Sequence, residues 1–266
     1  LSLECPYNSD YFLVKWYCIT MVRAIKETKI KHILITTGIY PPKIGGPAQY
    51  AKNLKESFEK KDFGVSIKTY TVEDKLPTGV RHIVFFLKII PKIIFSNVVF
   101  TLDTYSVGFP SVLAGKIFGK KVIIRTGGDF LWEGYVERTR KKVLLRNFYS
   151  SEKSNFSIKE KIIFLVTRWT LRNATNIIFS TEWQREIFIK AYSLDINKTS
   201  IVENYYGPKQ ADENYSSKEF VASTRKLVWK NLDFLKEIFA DLEKEAGEPK
   251  LFLDNLPFDK LMERVK

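Results

Sequence analysis

The chain has 266 residues, 45% of them hydrophobic, which suffices for an ordinary core and excludes disorder as the main state. Lysine and arginine total 43 against 30 acidic residues, a formal charge of +13 that favours nucleotides, nucleic acid or acidic lipid surfaces without choosing among them. His32 and His82 are the only histidines and Cys5 and Cys18 the only cysteines, so no Cys/His zinc cage of the usual kind can be assembled and no disulfide scaffold is expected.

Residues 1–20 differ from the rest: their apolar stretch is interrupted by Lys15, is too short to span a bilayer, and lacks the features of a signal peptide. A natural start at Met21 is expected, with 1–20 a non-native or disordered segment. From Lys31 onward, short β-branched runs alternate with amphipathic stretches, the signature of βαβ units around a parallel sheet.

A strand is predicted at 32–37, followed by a glycine-containing loop and a helix in which Pro47 suits the first turn and Ala51, Leu54 and Phe58 recur at helical spacing. Strand 65–71 comes next. Residues 81–95 read as a very apolar helix carrying Arg81, Lys88 and Lys92, either buried against the sheet with its cations at the rim or lying on an acidic membrane; the first reading is preferred. Pro91 is expected to kink or end it.

Strands at 97–102, 121–126, 175–180 and 199–204 alternate with helices at about 106–118, 158–173 and 182–192. The polar, turn-rich stretch 205–217 reads as a linker between a domain at 21–204 and a second, incomplete unit at 218–266. That unit is predicted as strand 219–224, helix 231–246, strand 250–254 and helix 258–266, with exposed edges and uncovered helix faces. His32 and His82 open apolar runs and are read as structural.

Two loops carry candidate chemistry. Gly45 and Gly46 stand just ahead of a helix N-terminus, where free amides and the helix dipole attract phosphate, although a plain strand-to-helix turn explains an isolated Gly-Gly equally well. The pattern is not Gly-x-Gly-x-x-Gly, so a nicotinamide or flavin enzyme gains no support. Arg225 and Lys230, five apart between a strand and a helix, place two cations where open α/β sheets bind ligands; they suit a nucleoside diphosphate, or else form a solvated basic turn.

Taken together, YPPKIGGPAQYAKNL (40–54), NIIFSTEWQRE (176–186), IVENYYG (201–207) and FVASTRKLVWKNLDFLKEIF (220–239) resemble the retaining glycosyltransferases of family four. The resemblance covers roughly residues 31–266. It implies a GT-B fold of two Rossmann-like domains, the first holding the acceptor and the second, here only begun, the nucleotide-sugar. It further implies that Gly45, Gly46, Arg225 and Lys230 bind the donor diphosphate and that Asn204 lies in the turn leading to the second domain.

The fourth strand and its loop read IIRTGGDFLWEGY (123–135), with 126–135 the loop that shapes the acceptor side, and lack the histidine many relatives place near the reacting sugar. Asp129 there is a candidate for a substrate hydroxyl and equally a candidate helix cap; Gly128, Glu133 and Asn204 are further acceptor-side or cleft candidates. The family's pair of glutamates, eight apart, would lie beyond Lys266, so the chain as it stands is expected not to turn over. The implied activity is a metal-independent, cofactor-free hexosyl transfer to a glycan or lipid-linked acceptor in cell-surface polysaccharide or glycoconjugate synthesis. Its expected place is the cytoplasm, with peripheral contact at the inner membrane face and no nucleic-acid partner. The alternative is a non-catalytic basic module binding nucleotides, nucleic acid or membrane surfaces.

Overall fold

A computed structural model describes residues 31–204, 218–246, 249–256 and 258–265. The segment 1–20 and the linker 205–217 lie outside the described residues. Six parallel strands form the main sheet: β1 (His32–Thr37), β2 (Gly64–Thr69), β3 (Val98–Thr101), β4 (Lys121–Arg125), β5 (Asn176–Phe179) and β6 (Thr199–Ile201), in the order β2-β1-β3-β4-β5-β6. This is an α/β, Rossmann-like sheet. Its order reverses between β1 and β3, and in such sheets ligands sit outside the strand carboxyl ends at the point of reversal.

The strands connect through α1 (Gly46–Glu59), α2 (Thr78–Phe95), α3 (Gly108–Ile117), α4 (Phe130–Thr139), α5 (Leu145–Ser151), α6 (Ile158–Asn173) and α7 (Glu182–Tyr192). Strand alternation divides the core between the two faces of the sheet. Leu34, Val99, Ile124, Ile177 and Phe179 join the larger cluster with α2 to α7, while Ile33, Ile35, Phe100 and Ile178 pack beneath Leu54 and Phe58 of α1. Within the larger cluster Phe148 is fully buried against Tyr135 and Phe156. Helix α3 lies so close to β4 that a Cβ at Gly115 would stand 2.2 Å from Val122 Cγ2.

Local signals set the helix boundaries. Ser157 Oγ accepts from the Glu160 amide at 3.3 Å while the Glu160 carboxylate accepts from the Ser157 amide at 2.8 Å, a capping box that starts α6 where periodicity placed it. Thr181 caps α7 in the simpler one-bond way, through the Gln184 amide at 3.2 Å. The second strand is displaced from its predicted span, beginning at Gly64 and ending at Thr69.

Helix α2 corrects one expectation. It runs through Pro91 to Phe95, because Pro91 lies on the solvent side and Ile89 and Ile93 anchor the turns around it in the core. Of its cations, Arg81 donates to the carbonyls of Glu73, Asp74 and Leu76, and Lys88 pairs with the buried Glu73 at 2.8 Å. The helix is thus pinned to the 72–75 turn along one flank.

The second unit has two parallel strands, β7 (Glu219–Ser223) and β8 (Lys250–Asp254), with α8 (Leu232–Ala246) and α9 (Phe258–Val265). Phe220, Phe234, Ile238 and Leu242 are exposed on it, as expected of uncovered faces.

Candidate functional site

Three loops meet at the carboxyl edge of the main sheet. After β1, Gly45 takes φ +152, a conformation L side chains rarely adopt, and caps α1; Gly46 is the first helical residue and has open space where a Cβ would stand. The strain therefore requires glycine at 45 and not at 46. After β3, the half-buried Asp103 accepts from the amides of Tyr105 (2.7 Å) and Val107 (3.2 Å), and a Cβ at Gly108 would lie 2.2 Å from the Asp103 carbonyl oxygen. Burial raises the Asp103 carboxyl above its ordinary range, opposed by those amides.

The third loop, 126–129, corrects the reading of 126–135 as loop throughout: from Phe130 it is helix α4. Asp129 is the N-cap, and its Oδ1 accepts from the Trp132 amide at 3.0 Å. The other carboxylate oxygen accepts from the Tyr149 hydroxyl at 2.5 Å, and Tyr149 stands 2.5 Å from the Tyr192 hydroxyl. Asp129 is buried among these partners, and burial raises its carboxyl against the opposing Tyr149 hydrogen bond.

Glu133 lies one turn into α4 and folds back over Gly128, where an added Cβ would stand 2.5 Å from its Oε1. Among the described residues its carboxylate has no hydrogen-bond partner. Burial, then the charge of Asp129, pushes it up to about 7, while Arg225 and Lys230 pull it down. A half-buried carboxylate that titrates near neutrality and has no internal partner is free to take a hydrogen bond from a ligand.

The cations come from the second unit. The turn after β7 carries Arg225, a short 3-10 segment Val228–Lys230, and Asn231 in the left-handed region (φ 51), which starts α8. This turn seats on α4: the Val228 amide donates to Glu137 Oε1 at 2.6 Å, and the Trp132 and Trp229 rings lie 5.7 Å apart. Lys230 Nζ stands 4.3 Å from the Trp229 ring centroid, and Arg225 is exposed. Beside them Thr224, Arg225, Lys226 and Asp254 help line a cavity of about 430 Å³ at the carboxyl edge of the small sheet.

Of the residues singled out in the sequence, Gly128, Asp129, Glu133, Arg225 and Lys230 come together, whereas Gly45 and Gly46 lie on the same edge with β3 intervening between their strand and β4. Asn204 belongs to a different cluster, accepting from Arg125 Nη2 at 2.5 Å while the Arg125 guanidinium sits 4.1 Å from the Tyr50 ring centroid. Arg125, Asp103 and Tyr149 were not anticipated. A cation closing the apolar strand KVIIR was the one available signal for Arg125. His32 sits at the opposite, amino-terminal end of β1, and His82 packs against Tyr105 at 4.9 Å, so both histidines occupy structural positions.

No protein-family model matches the chain, and no curated protein sequence matches it. Among solved structures it is similar to Anabaena Alr3699/HepE in complex with UDP and glucose, with a TM-score of 0.48 and 12% identity over 89% of this chain and 64% of that one. The chain thus spans less than two thirds of that protein's length.

Proposed function

We propose that the chain belongs to a family-four, GT-B glycosyltransferase that moves a sugar from a nucleoside diphosphate donor to a hydroxyl of a glycan or lipid-linked acceptor in cell-surface glycoconjugate synthesis. The observation that carries this reading is the meeting of Glu133, a carboxylate without internal partner, with the Arg225 and Lys230 turn of a second βα unit. In this reading the two cations neutralise charge that builds on the departing diphosphate without a metal, Arg225 as a fork and Lys230 as a mobile point charge. The α1 N-terminus at Gly45 and Gly46 adds backbone amides on the donor side. Glu133 orients the acceptor hydroxyl, and Asp129 holds the turn that presents it. Retention of configuration and a cytoplasmic setting belong to the same proposal, as does the division into an acceptor-side domain at 21–204 and a donor-side unit at 218–266.

Calorimetric titration of the chain with UDP and with GDP tests the assignment. One of the two is expected to bind, and the Arg225→Ala, Lys230→Ala double variant is expected to bind it about tenfold more weakly or worse. Unchanged affinity in that variant would remove the two residues from the site. Binding of neither nucleotide, together with steeply salt-dependent binding of single-stranded DNA, would favour the basic binding module instead.

A further inference from the structure

We infer that Arg125, with Gly127 and Asn204, forms a seat for an oxyanion, a carboxylate or a phosphate, carried by the acceptor. Reading the anion as part of the acceptor rests on the transferase proposal, whereas the seat itself does not. Arg125 is the last residue of β4, at the carboxyl edge where open α/β sheets take ligands. Strand alternation sends Ile123 and Arg125 to the α1 face of the sheet and Ile124 to the other. The guanidinium therefore emerges at the rim of the apolar layer that contains Ile35, Phe100 and Ile178. Two contacts fix it there. It lies 4.1 Å from the Tyr50 ring centroid, and its Nη2 donates to Asn204 Oδ1 at 2.5 Å, so α1, β4 and the segment after β6 converge on one charge.

The protein leaves this charge without a counter-charge. Among the described residues no carboxylate pairs with Arg125, and the bond to Asn204 is the one hydrogen bond its guanidinium makes. Its Nε is buried without a partner. The Tyr50 ring face attracts the cation but accepts none of its in-plane N–H groups. A half-buried, unpaired guanidinium costs desolvation, and a ligand that brings oxygens to it recovers that cost. Gly127 opens the approach. A Cβ there would stand 2.6 Å from Arg125 Nη1, although Gly127 is not among the residues of positive φ, so the missing side chain provides space rather than relief of backbone strain. Gly127 and Asn204 are both exposed, and Asn204, with its oxygen turned to the arginine, keeps its amide nitrogen as a neutral donor beside the charge. Paired N–H groups in one plane match the oxygens of a carboxylate or phosphate, whereas a sugar hydroxyl would leave the charge unanswered. The seat is separate from Arg225 and Lys230, whose turn docks on α4 through Glu137 and Trp132. An acceptor bearing an acid group is thereby held by the first unit while the donor diphosphate meets the second, which selects acidic acceptors over neutral ones.

Nitrogen-15 NMR titration of the whole chain with glucuronate, glucose 6-phosphate and glucose, following the Gly127 amide and the Arg125 Nε–H, tests this. At least one of the two anions is expected to shift both signals to saturation, and glucose to leave them in place. Arg125→Met, whose stem still covers Tyr50, and Gly127→Ala, whose methyl would displace Nη1, should each weaken the anion about tenfold or more at the residue 127 amide, and Arg125→Lys should recover part of the loss. Should Arg125→Met fail to fold, Gly127→Ala and Arg125→Lys carry the comparison. Saturation by glucuronate alone identifies a sugar acid, and by glucose 6-phosphate alone a phosphate monoester; either result supports the seat. The proposal is overturned if neither anion shifts the signals, if glucose shifts them equally, or if the variants bind the anion as wild type does. It is equally overturned if the Arg225→Ala, Lys230→Ala variant loses the anion while Arg125→Met keeps it, which would assign the anion to the second unit. Binding of UDP or GDP with no anion at Arg125 would remove this inference and leave the transferase reading standing. An anion at Arg125 with neither nucleotide bound would do the reverse.

Discussion

The Tyr149 hydroxyl and the Trp132 amide hold opposite oxygens of the Asp129 carboxylate, at 2.5 and 3.0 Å, so one buried side chain joins the start of α4 to α5. Asp129→Ala removes a helix cap and leaves the partly buried Tyr149 hydroxyl with Tyr192 as its remaining partner, and is expected to cost about 2 kcal/mol in urea unfolding. Asp129→Asn keeps an acceptor oxygen and should cost less. Equal losses in the two variants would mean that the cap is not what the carboxylate contributes.

Glu133 provides a titration test. Its carboxyl sits at about 7 in the folded chain against 4.5 ordinarily, so between those values the native state holds a proton that the unfolded chain has released. Its contribution to stability is full below about 4.5 and is lost as the pH rises through about 7. Glu133→Gln should flatten that part of the stability–pH curve. Arg225 and Lys230 favour the charged form, so Arg225→Ala with Lys230→Ala should move the Glu133 carboxyl above 7 in a carbon-13 NMR titration. An unmoved titration would show that the turn does not face Glu133.

Glu73 has the opposite sign. Burial alone would raise its carboxyl, but the Lys88 ammonium and the Thr71 amide and hydroxyl outweigh it and hold the group at about 2. Its contribution is present above about 4.5 and is lost as the pH falls toward 2. Lys88→Met leaves the carboxylate buried beside fewer partners and is expected to cost about 2 kcal/mol at neutral pH, while raising the midpoint of acid unfolding. An acid midpoint identical to wild type would contradict this pairing.

The contact between Trp132 and Trp229 predicts a spectroscopic change. Trp229→Ala should release the 225–230 turn from α4 and cost about 1 kcal/mol of turn docking, read as faster amide exchange at Val228, whose N–H donates to Glu137. Unchanged exchange at Val228 would assign the docking to the Glu137 hydrogen bond alone.

Much of the fold was legible because its signals are local. The run HILITT predicts β1 over its observed span, and periodicity places α6 and α7 from 158 to 173 and from 182 to 192. Residues 126–135 misled because Gly127, Gly128 and a run of aromatics look like loop, whereas the Asp129 cap commits everything after it to helix. Pro91 misled in the other direction, since a ring on the solvent face of an anchored helix does not end it. The spacing of Arg225 and Lys230 was readable, but their meeting with Glu133 depends on Trp132 finding Trp229, a contact between residues 97 positions apart that no periodicity encodes.

The distribution of charge has a consequence for dissecting the protein. Asp103, Asp129 and Glu133 belong to the main sheet and its helices, whereas the cations acting on Glu133 come from the 225–230 turn. Severing the chain between Asn204 and Lys218 would part the two signs: one piece would keep Glu133 with its carboxyl pushed further up, the other a basic turn with its tryptophan uncovered. Mixing the two pieces should bring the Glu133 carboxyl back down and cover Trp229 again, so that both signals report the 225–230 turn rejoining α4.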